Sequence, residues 1–247
     1  MKTYPIYLMI VVVLLTACNK TEEESISLIP GIKDNLFDLY YPSLGRYTQS
    51  IKGGDGNYTV TSSDNTIVDV ELIQGQTVSF EAKGLGDATV TISDKSGKSY
   101  TFDVHVSYRE TSFQIKELRA GVKSDNLTDE QKKEIEEKAL ATIPVQVNGG
   151  YKLIYTNDDG VSGEALVYTE TMGVNGQKGT FKLYQSDGNL TILEMNYKGE
   201  IRKFIISGSS LTRGIAAETM FLLEDLTKKF KAEYHDVEIV QTQQEIQ

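Results

Sequence analysis

Three short segments of this chain alternate apolar and polar residues with a period of two. The clearest is Tyr100-x-Phe102-x-Val104-x-Val106, and the same spacing recurs over residues 78–82 and 88–92. Because successive side chains of a β-strand point to opposite faces, each segment places its apolar residues on one face of a sheet. Such a sheet needs a second layer to cover that face. We therefore predict an all-β sandwich over residues 26–107.

Two stretches of this region resemble bacterial Ig-like domains. Residues 58–70, YTVTSSDNTIVDV, are similar to the family's serine-serine-aspartate segment, and residues 84–94, GLGDATVTISD, match its glycine followed by an A-T-V-T-I strand. The family often has a tryptophan just before the double serine, whereas Val60 lies near that place and the chain has no tryptophan. The resemblance implies an Ig-like sandwich of the kind found in surface adhesins, in carbohydrate-active proteins and in spacers. It implies no particular ligand.

The second half of the chain combines hairpin and helix signals. Thr128 and Gln131 have the spacing of a capping box, so we predict a helix that begins there and ends before Pro144. Asn-Gly, Asp-Gly and Lys-Gly turns then separate five predicted strands, which indicates an antiparallel meander. The predicted strands cover residues 151–156, 164–171, 179–184, 190–197 and 200–207.

The last part of the chain has a different period. Ile215, Leu222, Leu223, Leu226, Phe230 and Tyr234 recur at steps that suit one face of a helix, which predicts a long helix over residues 212–234. Helices over a meander define an α+β domain, which we place at residues 127–240. We read residues 108–126 as a linker that could add one strand to this domain, and residues 241–247 as a frayed polar tail. The predicted fold class is therefore an Ig-like sandwich followed by an α+β domain.

The N-terminus has the layout of a signal peptide. The apolar run over residues 6–15 would be roughly 15 Å long as a helix, too short for a bilayer core of about 30 Å. Leu15-Thr16-Ala17-Cys18 resembles the lipobox of bacterial lipoproteins. That resemblance implies removal of residues 1–17 and lipidation of Cys18, with acyl chains that anchor the protein in a membrane. The alternative is an ordinary secretory signal with a chance cysteine.

Three acidic residues follow the predicted lipidation site. Glu22, Glu23 and Glu24 lie in a short tether over residues 18–25 and resemble the acidic signal that sends lipoproteins to the outer face of the outer membrane in one phylum of Gram-negative bacteria. The alternative is a solvated tether that holds the folded part away from the lipid. The expected location is the outer membrane, by a lipid anchor and on the cell surface.

Composition and length limit the possible partners, disulfides and domain number. The formal net charge of −10 repels phosphate backbones, so we predict no nucleic-acid partner. Cys18 is the only cysteine, so no disulfide can form within the chain. The length of 247 residues suggests two domains.

No motif in the sequence indicates catalysis or a cofactor. His105 should face solvent on its strand, and neither it nor His235 has partners at the spacing of a metal site or a catalytic triad. Ser209 lacks the second glycine of a nucleophile elbow. The glycines of residues 53–56 lack the context of a phosphate-binding loop. We therefore predict no enzyme activity, no cofactor and no metal.

Two short segments are candidates for binding a ligand. Residues 157–160, Asn-Asp-Asp-Gly, are the best calcium candidate, but the EF-hand register fails at both end ligands, so a hairpin turn is the preferred reading. Tyr40 and Tyr41 form the densest aromatic spot and suit either sugar stacking or packing at the edge of a core.

The sequence thus suggests a surface lipoprotein that binds rather than catalyses. The first hypothesis is adhesion to a host protein or matrix component. The second is an accessory glycan-binding subunit of an outer-membrane nutrient-uptake complex. A third is a hydrolase, which would need convergent acids, or a nucleophile with its base, in one pocket. A lipoprotein that faces the periplasm is a further alternative.

Overall fold

The computed structural model describes residues 24–208 and 220–247. These residues form a two-sheet sandwich followed by a closed barrel, and each unit has its own apolar core. No helix in these two ranges is long and apolar enough to cross a membrane.

The sandwich consists of two four-stranded sheets with strand orders β1-β3-β6-β5 and β2-β8-β7-β4. Val90, Phe102 and Val104 lie fully buried between them with Phe80 and Leu39. All strand pairs are antiparallel except β2 and β8, which run parallel. The strands are β1 (Ser27–Ile29), β2 (Leu36–Tyr41), β3 (Tyr47–Lys52), β4 (Tyr58–Ser62), β5 (Val68–Ile73), β6 (Thr77–Ala82), β7 (Gly86–Asp94) and β8 (Ser99–Tyr108).

The second unit is a closed barrel of eight antiparallel strands in the order β10-β11-β12-β13-β14-β15-β16-β9. The first strand of the unit, β9, closes the barrel by pairing with both β10 and β16. The strands are β9 (Glu110–Lys123), β10 (Gly150–Ile154), β11 (Ser162–Tyr168), β12 (Gln177–Gln185), β13 (Thr191–Tyr197), β14 (Glu200–Ser207), β15 (Met220–Asp225) and β16 (Ile239–Ile246).

The predicted fold class is wrong, because this closed barrel replaces the α+β domain. The predicted meander strands are present as β10 to β14, but the sheet does not remain open under helices. It curls until β9 joins its two edges, and closure leaves no sheet edge unpaired.

Three predicted boundaries change with the barrel. The region read as a linker adds one strand to the second unit, as the prediction allowed. That strand is β9, whose fourteen residues make it the longest strand of the described chain. The region read as a polar tail lies mostly in β16. The predicted helix over 212–234 is replaced by β15 and by the short helix α2 (Thr227–Lys231) wherever the structure describes it, while residues 212–219 lie outside the described ranges.

Helix α1 (Asp129–Ala141) begins with the predicted capping box. The Gln131 backbone N–H donates to the Thr128 hydroxyl, and the Gln131 side chain accepts from the Thr128 N–H. Ile135 and Ala139 are fully buried and pack in a cluster with Val240 of β16 and Phe230 of α2. The helices thus cover one end of the barrel.

One residue, Arg109, separates the sandwich strand β8 from the barrel strand β9. Its guanidinium carbon lies 3.8 Å from the centre of the Tyr155 ring, and its side chain donates to the Gly160 carbonyl. Its backbone N–H donates to the Tyr41 carbonyl, and its own carbonyl accepts from the Tyr155 N–H. Arg109 therefore joins both units through backbone and side chain.

Candidate functional site

A groove of about 710 Å³ lies where the sandwich meets the barrel. We call it the junction groove. Tyr40, on edge strand β2, is 43% exposed, and Leu85, in the turn before β7, is 44% exposed. Exposed aromatic and apolar side chains beside a few polar groups are typical of binding sites. The lining residues are Tyr40, Leu85, Gly86, His105, Val106, Ser107, Tyr108 and Glu110.

The strand alternation explains why these side chains face outward. Leu39 and Val106 are buried in the sandwich core, so their neighbours Tyr40 and Ser107 point to the opposite face of the sheet. Tyr40 and Ser107 are also register partners across β2 and β8. The outer face of this sheet therefore places the Tyr40 ring and the Ser107 hydroxyl side by side in the groove.

The groove also contains a charged and polar wall. His105 Nδ1 lies 2.7 Å from Asp87 Oδ1, and the His105 side chain is 46% exposed, as the alternation predicts. Because a carboxylate only accepts hydrogen bonds, Nδ1 carries the hydrogen, which leaves Nε2 for a further hydrogen bond. Glu110, the first residue of the barrel, lies 2.6 Å from Lys152 Nζ.

The 157–160 loop contacts the sandwich from the barrel side. The Tyr41 hydroxyl donates to Asp158 Oδ1 at 2.9 Å, and this hydrogen bond raises the pKa of Tyr41. Asp159 accepts from the backbone N–H groups of Val161 and Ser162, both at 2.9 Å. The Asp158 carboxylate thus bonds the sandwich, and the Asp159 carboxylate bonds the backbone of its own loop.

The loop that carries the calcium candidate connects two paired strands. The loop joins β10 to β11, with a hydrogen bond from Asn157 N–H to the Ser162 carbonyl, so the preferred reading as a hairpin turn is confirmed. Across residues 24–208 and 220–247 no three His, Cys, Asp or Glu side chains come together as a metal site.

The other sequence candidates separate in space. Gly53 lies in the turn between β3 and β4 with φ +80°, and a Cβ there would lie 2.2 Å from the Ser25 carbonyl oxygen. That glycine therefore serves a close backbone approach. Tyr41 packs against the sandwich core while Tyr40 faces the groove. His235 is exposed after α2, and Ser209 lies outside the described ranges.

The predicted lipidation and export residues fall mostly outside the structure. Cys18, Glu22 and Glu23 precede the first described residue. Glu24 is described and lies 3.0 Å from Lys52 Nζ, while its backbone carbonyl accepts from the Gly54 N–H. Glu24 therefore contacts the sandwich at β3 and at the turn that follows it.

Sequence reasoning missed most of the groove. Leu85, Tyr108 and Glu110 come from a turn, a strand end and the next domain, so no local motif joins them. The available signal was Leu85 itself, an apolar residue between two glycines where a turn exposes it.

The comparisons with known proteins identify no family. No protein-family model matches the chain, and no curated protein matches it. Among solved structures, a crystal structure of an intimin mutant from EHEC O157:H7 matches at 14% identity, with a TM-score of 0.23, over 52% of this chain and 82% of that chain. A score this low does not establish a shared overall fold.

Proposed function

We propose that this protein is a surface lipoprotein that acts by binding, and that the junction groove is its binding site. The observation that carries the proposal is the exposure of Tyr40 and Leu85 in a groove of about 710 Å³. Exposed apolar side chains rimmed by polar ones mark interaction sites on proteins. His105, Ser107 and Glu110 would supply the hydrogen bonds that orient a partner.

The preferred partner is a host protein or matrix component. Leu85 and Tyr40 offer apolar contact, and the acidic side chain of Glu110 also lines the groove. The chain as a whole is acidic, with a net charge of −10, so basic segments of a partner would be attracted and nucleic acids repelled.

Adhesion of whole cells tests this proposal. Cells that carry Leu85→Glu should lose most of their adherence to a matrix-coated surface relative to wild type, because a charge replaces an apolar contact in the groove. Val174→Glu is the matched control, since Val174 is 53% exposed in a barrel loop away from the groove. Equal adherence of wild type and Leu85→Glu would contradict the proposal.

The glycan-binding alternative is favoured by one observation, the placement of the Tyr40 ring beside Ser107 and His105. An aromatic face next to hydroxyl and imidazole groups suits a neutral sugar ring. Calorimetric titration with soluble xylan, mannan and starch would detect it. Tyr40→Ala should abolish any binding, whereas Tyr47→Ala, 47% exposed on the other sheet, should not.

We also propose lipidation at Cys18 and export to the cell surface through Glu22, Glu23 and Glu24. Protease treatment of intact cells tests the location. Digestion of the wild type together with protection of the triple alanine variant would support the export signal. Protection of both until lysis would instead favour the periplasm-facing lipoprotein and remove adhesion from consideration.

A further inference from the structure

The barrel interior contains a polar cluster within an otherwise apolar core. Tyr151, Thr242 and Gln244 are fully buried, and Arg202 and Glu224 are nearly so. They project inward from β10, β14, β15 and β16, among Leu222 and Phe204 of the barrel core. Buried polar groups are costly unless each is hydrogen-bonded, so the partners of each group are informative.

Two members of this cluster satisfy each other. Arg202 Nε donates to Glu224 Oε1 at 2.9 Å, and a second guanidinium nitrogen donates to Glu224 Oε2. A third donates to the carbonyl of Thr142, the C-cap residue that follows α1. The single carboxylate balances the single guanidinium charge, so the pair carries no net charge, and the carbonyl at the helix end accepts a further hydrogen bond from the guanidinium.

The other polar side chains of the cluster do not all have hydrogen-bond partners. The Tyr151 hydroxyl donates to Gln244 Oε1 at 2.9 Å. Gln244 Nε2 and Thr242 Oγ1 have no hydrogen-bond partner among the described residues, although both side chains are 0% exposed. Exchanging the amide oxygen and nitrogen of Gln244 does not solve this, because one amide atom would still lack a partner.

The two unpartnered groups are neighbours. Thr242 and Gln244 are two residues apart on β16, so their Cα atoms are about 7 Å apart and their side chains share the inward face. Thr242 lies directly opposite Glu224, and Gln244 lies opposite Leu222. Both unpartnered groups therefore lie on the same stretch of the inward face of β16.

We propose that Thr242 and Gln244 form an internal binding site for a small uncharged guest with a hydrogen-bonding oxygen. The guest accepts a hydrogen bond from Gln244 Nε2 and exchanges one with the Thr242 hydroxyl. It is uncharged because Arg202 and Glu224 already neutralise each other. The same chemistry is offered by an internal water and by the hydroxyl or carbonyl end of a small organic molecule held in the barrel.

The direction in which one isosteric substitution changes the melting temperature tests the site. Thr242→Val keeps the side-chain shape and removes the hydroxyl. If the hydroxyl bonds a guest, the melting temperature should fall by about 2–4 °C. If the hydroxyl has no partner, Val relieves a buried unsatisfied group and the melting temperature should rise. A rise would overturn the proposal. Thr180→Val, on the outward face of β12, is the matched control and should leave the melting temperature nearly unchanged.

Two further measurements on the same full-length preparation distinguish an internal water from an organic guest. A high-resolution crystal structure should show density within about 3.2 Å of both Gln244 Nε2 and Thr242 Oγ1. Mass spectrometry of an organic extract of the unfolded protein identifies an organic guest. An empty extract with a single density peak identifies water. Absence of density, with the two side chains bonded to each other, would refute the site. None of these results depends on the junction groove.

Discussion

At the scale of single residues, the barrel depends on Arg202 and Glu224 as a pair. Removing one partner leaves the other charged and buried, which typically costs about 3–5 kcal/mol. Replacing both with apolar residues of similar size removes the charge and its desolvation cost together.

We therefore expect Arg202→Met alone to lower the free energy of unfolding by about 3–5 kcal/mol, and Arg202→Met/Glu224→Leu to recover a large part of it. Urea unfolding measures both. Lys203→Met is the control, because Lys203 and Glu194 form an ion pair at the surface, where solvent screening leaves little contribution to stability. Equal losses in the single and double variants would mean that packing, not charge, is what Arg202 contributes.

Asp159 gives a residue-scale prediction about pH. Hydrogen bonds from the Val161 backbone and the Ser162 hydroxyl lower the pKa of Asp159 below its usual 3.8. A lowered folded-state pKa adds stability that is complete above pH 3.8 and disappears as the pH falls through the folded value.

Asp159→Asn should therefore lower the melting temperature at pH 7, and the difference from wild type should shrink below pH 3.8. Thermal melts at both pH values check this. Asp187→Asn, in the exposed turn between β12 and β13, is the control for the loss of one exposed carboxylate. A difference that stays constant with pH would assign the effect of Asp159 to turn geometry alone.

At the scale of elements, sequence patterns identified strands and turns better than their assembly. The meander strands and the α1 capping box follow from local alternation and turn residues. β15 was read as helix because Leu222, Leu223 and Leu226 fit both periods in a short apolar run. β16 was read as a tail because its inward positions include Thr242 and Gln244, which hide the alternation.

The junction groove was less predictable than the strands. Its residues come together only once β8 continues into β9 across Arg109, and no periodicity encodes that meeting. The polar cluster was hidden for a similar reason, since Arg202 and Glu224 sit in strands where charged residues normally face water.

Helix α1 supplies an element-scale prediction. Its capping box satisfies an N-terminal backbone donor through Thr128. Thr128→Ala should reduce the free energy of unfolding by about 1 kcal/mol, while Thr128→Ser keeps the acceptor oxygen and should reduce it much less. Chemical denaturation compares them. If Ser and Ala were equally destabilising, the threonine methyl rather than the cap would stabilise this end of the barrel.

At the scale of the whole molecule, Arg109 decides whether the sandwich and the barrel act as one body. Its guanidinium stacks on the Tyr155 ring and donates a hydrogen bond to the Gly160 carbonyl. In the same loop, Asp158 accepts a hydrogen bond from the Tyr41 hydroxyl. The junction groove takes Tyr40 and Tyr108 from the sandwich and Glu110 from the barrel. A partner that contacts both sides needs their relative position fixed in advance, since ordering it on binding costs affinity.

Arg109→Ala should therefore weaken binding at the groove more than it destabilises either unit. The lost cation–π contact is worth about 0.5–2 kcal/mol, and small-angle scattering should show a larger radius of gyration as the two units gain freedom. Arg109→Lys keeps the charge but loses the planar stack and should show an intermediate effect. An unchanged radius of gyration in Arg109→Ala would mean that the backbone hydrogen bonds from Arg109 to Tyr41 and from Tyr155 to Arg109 suffice to hold the junction.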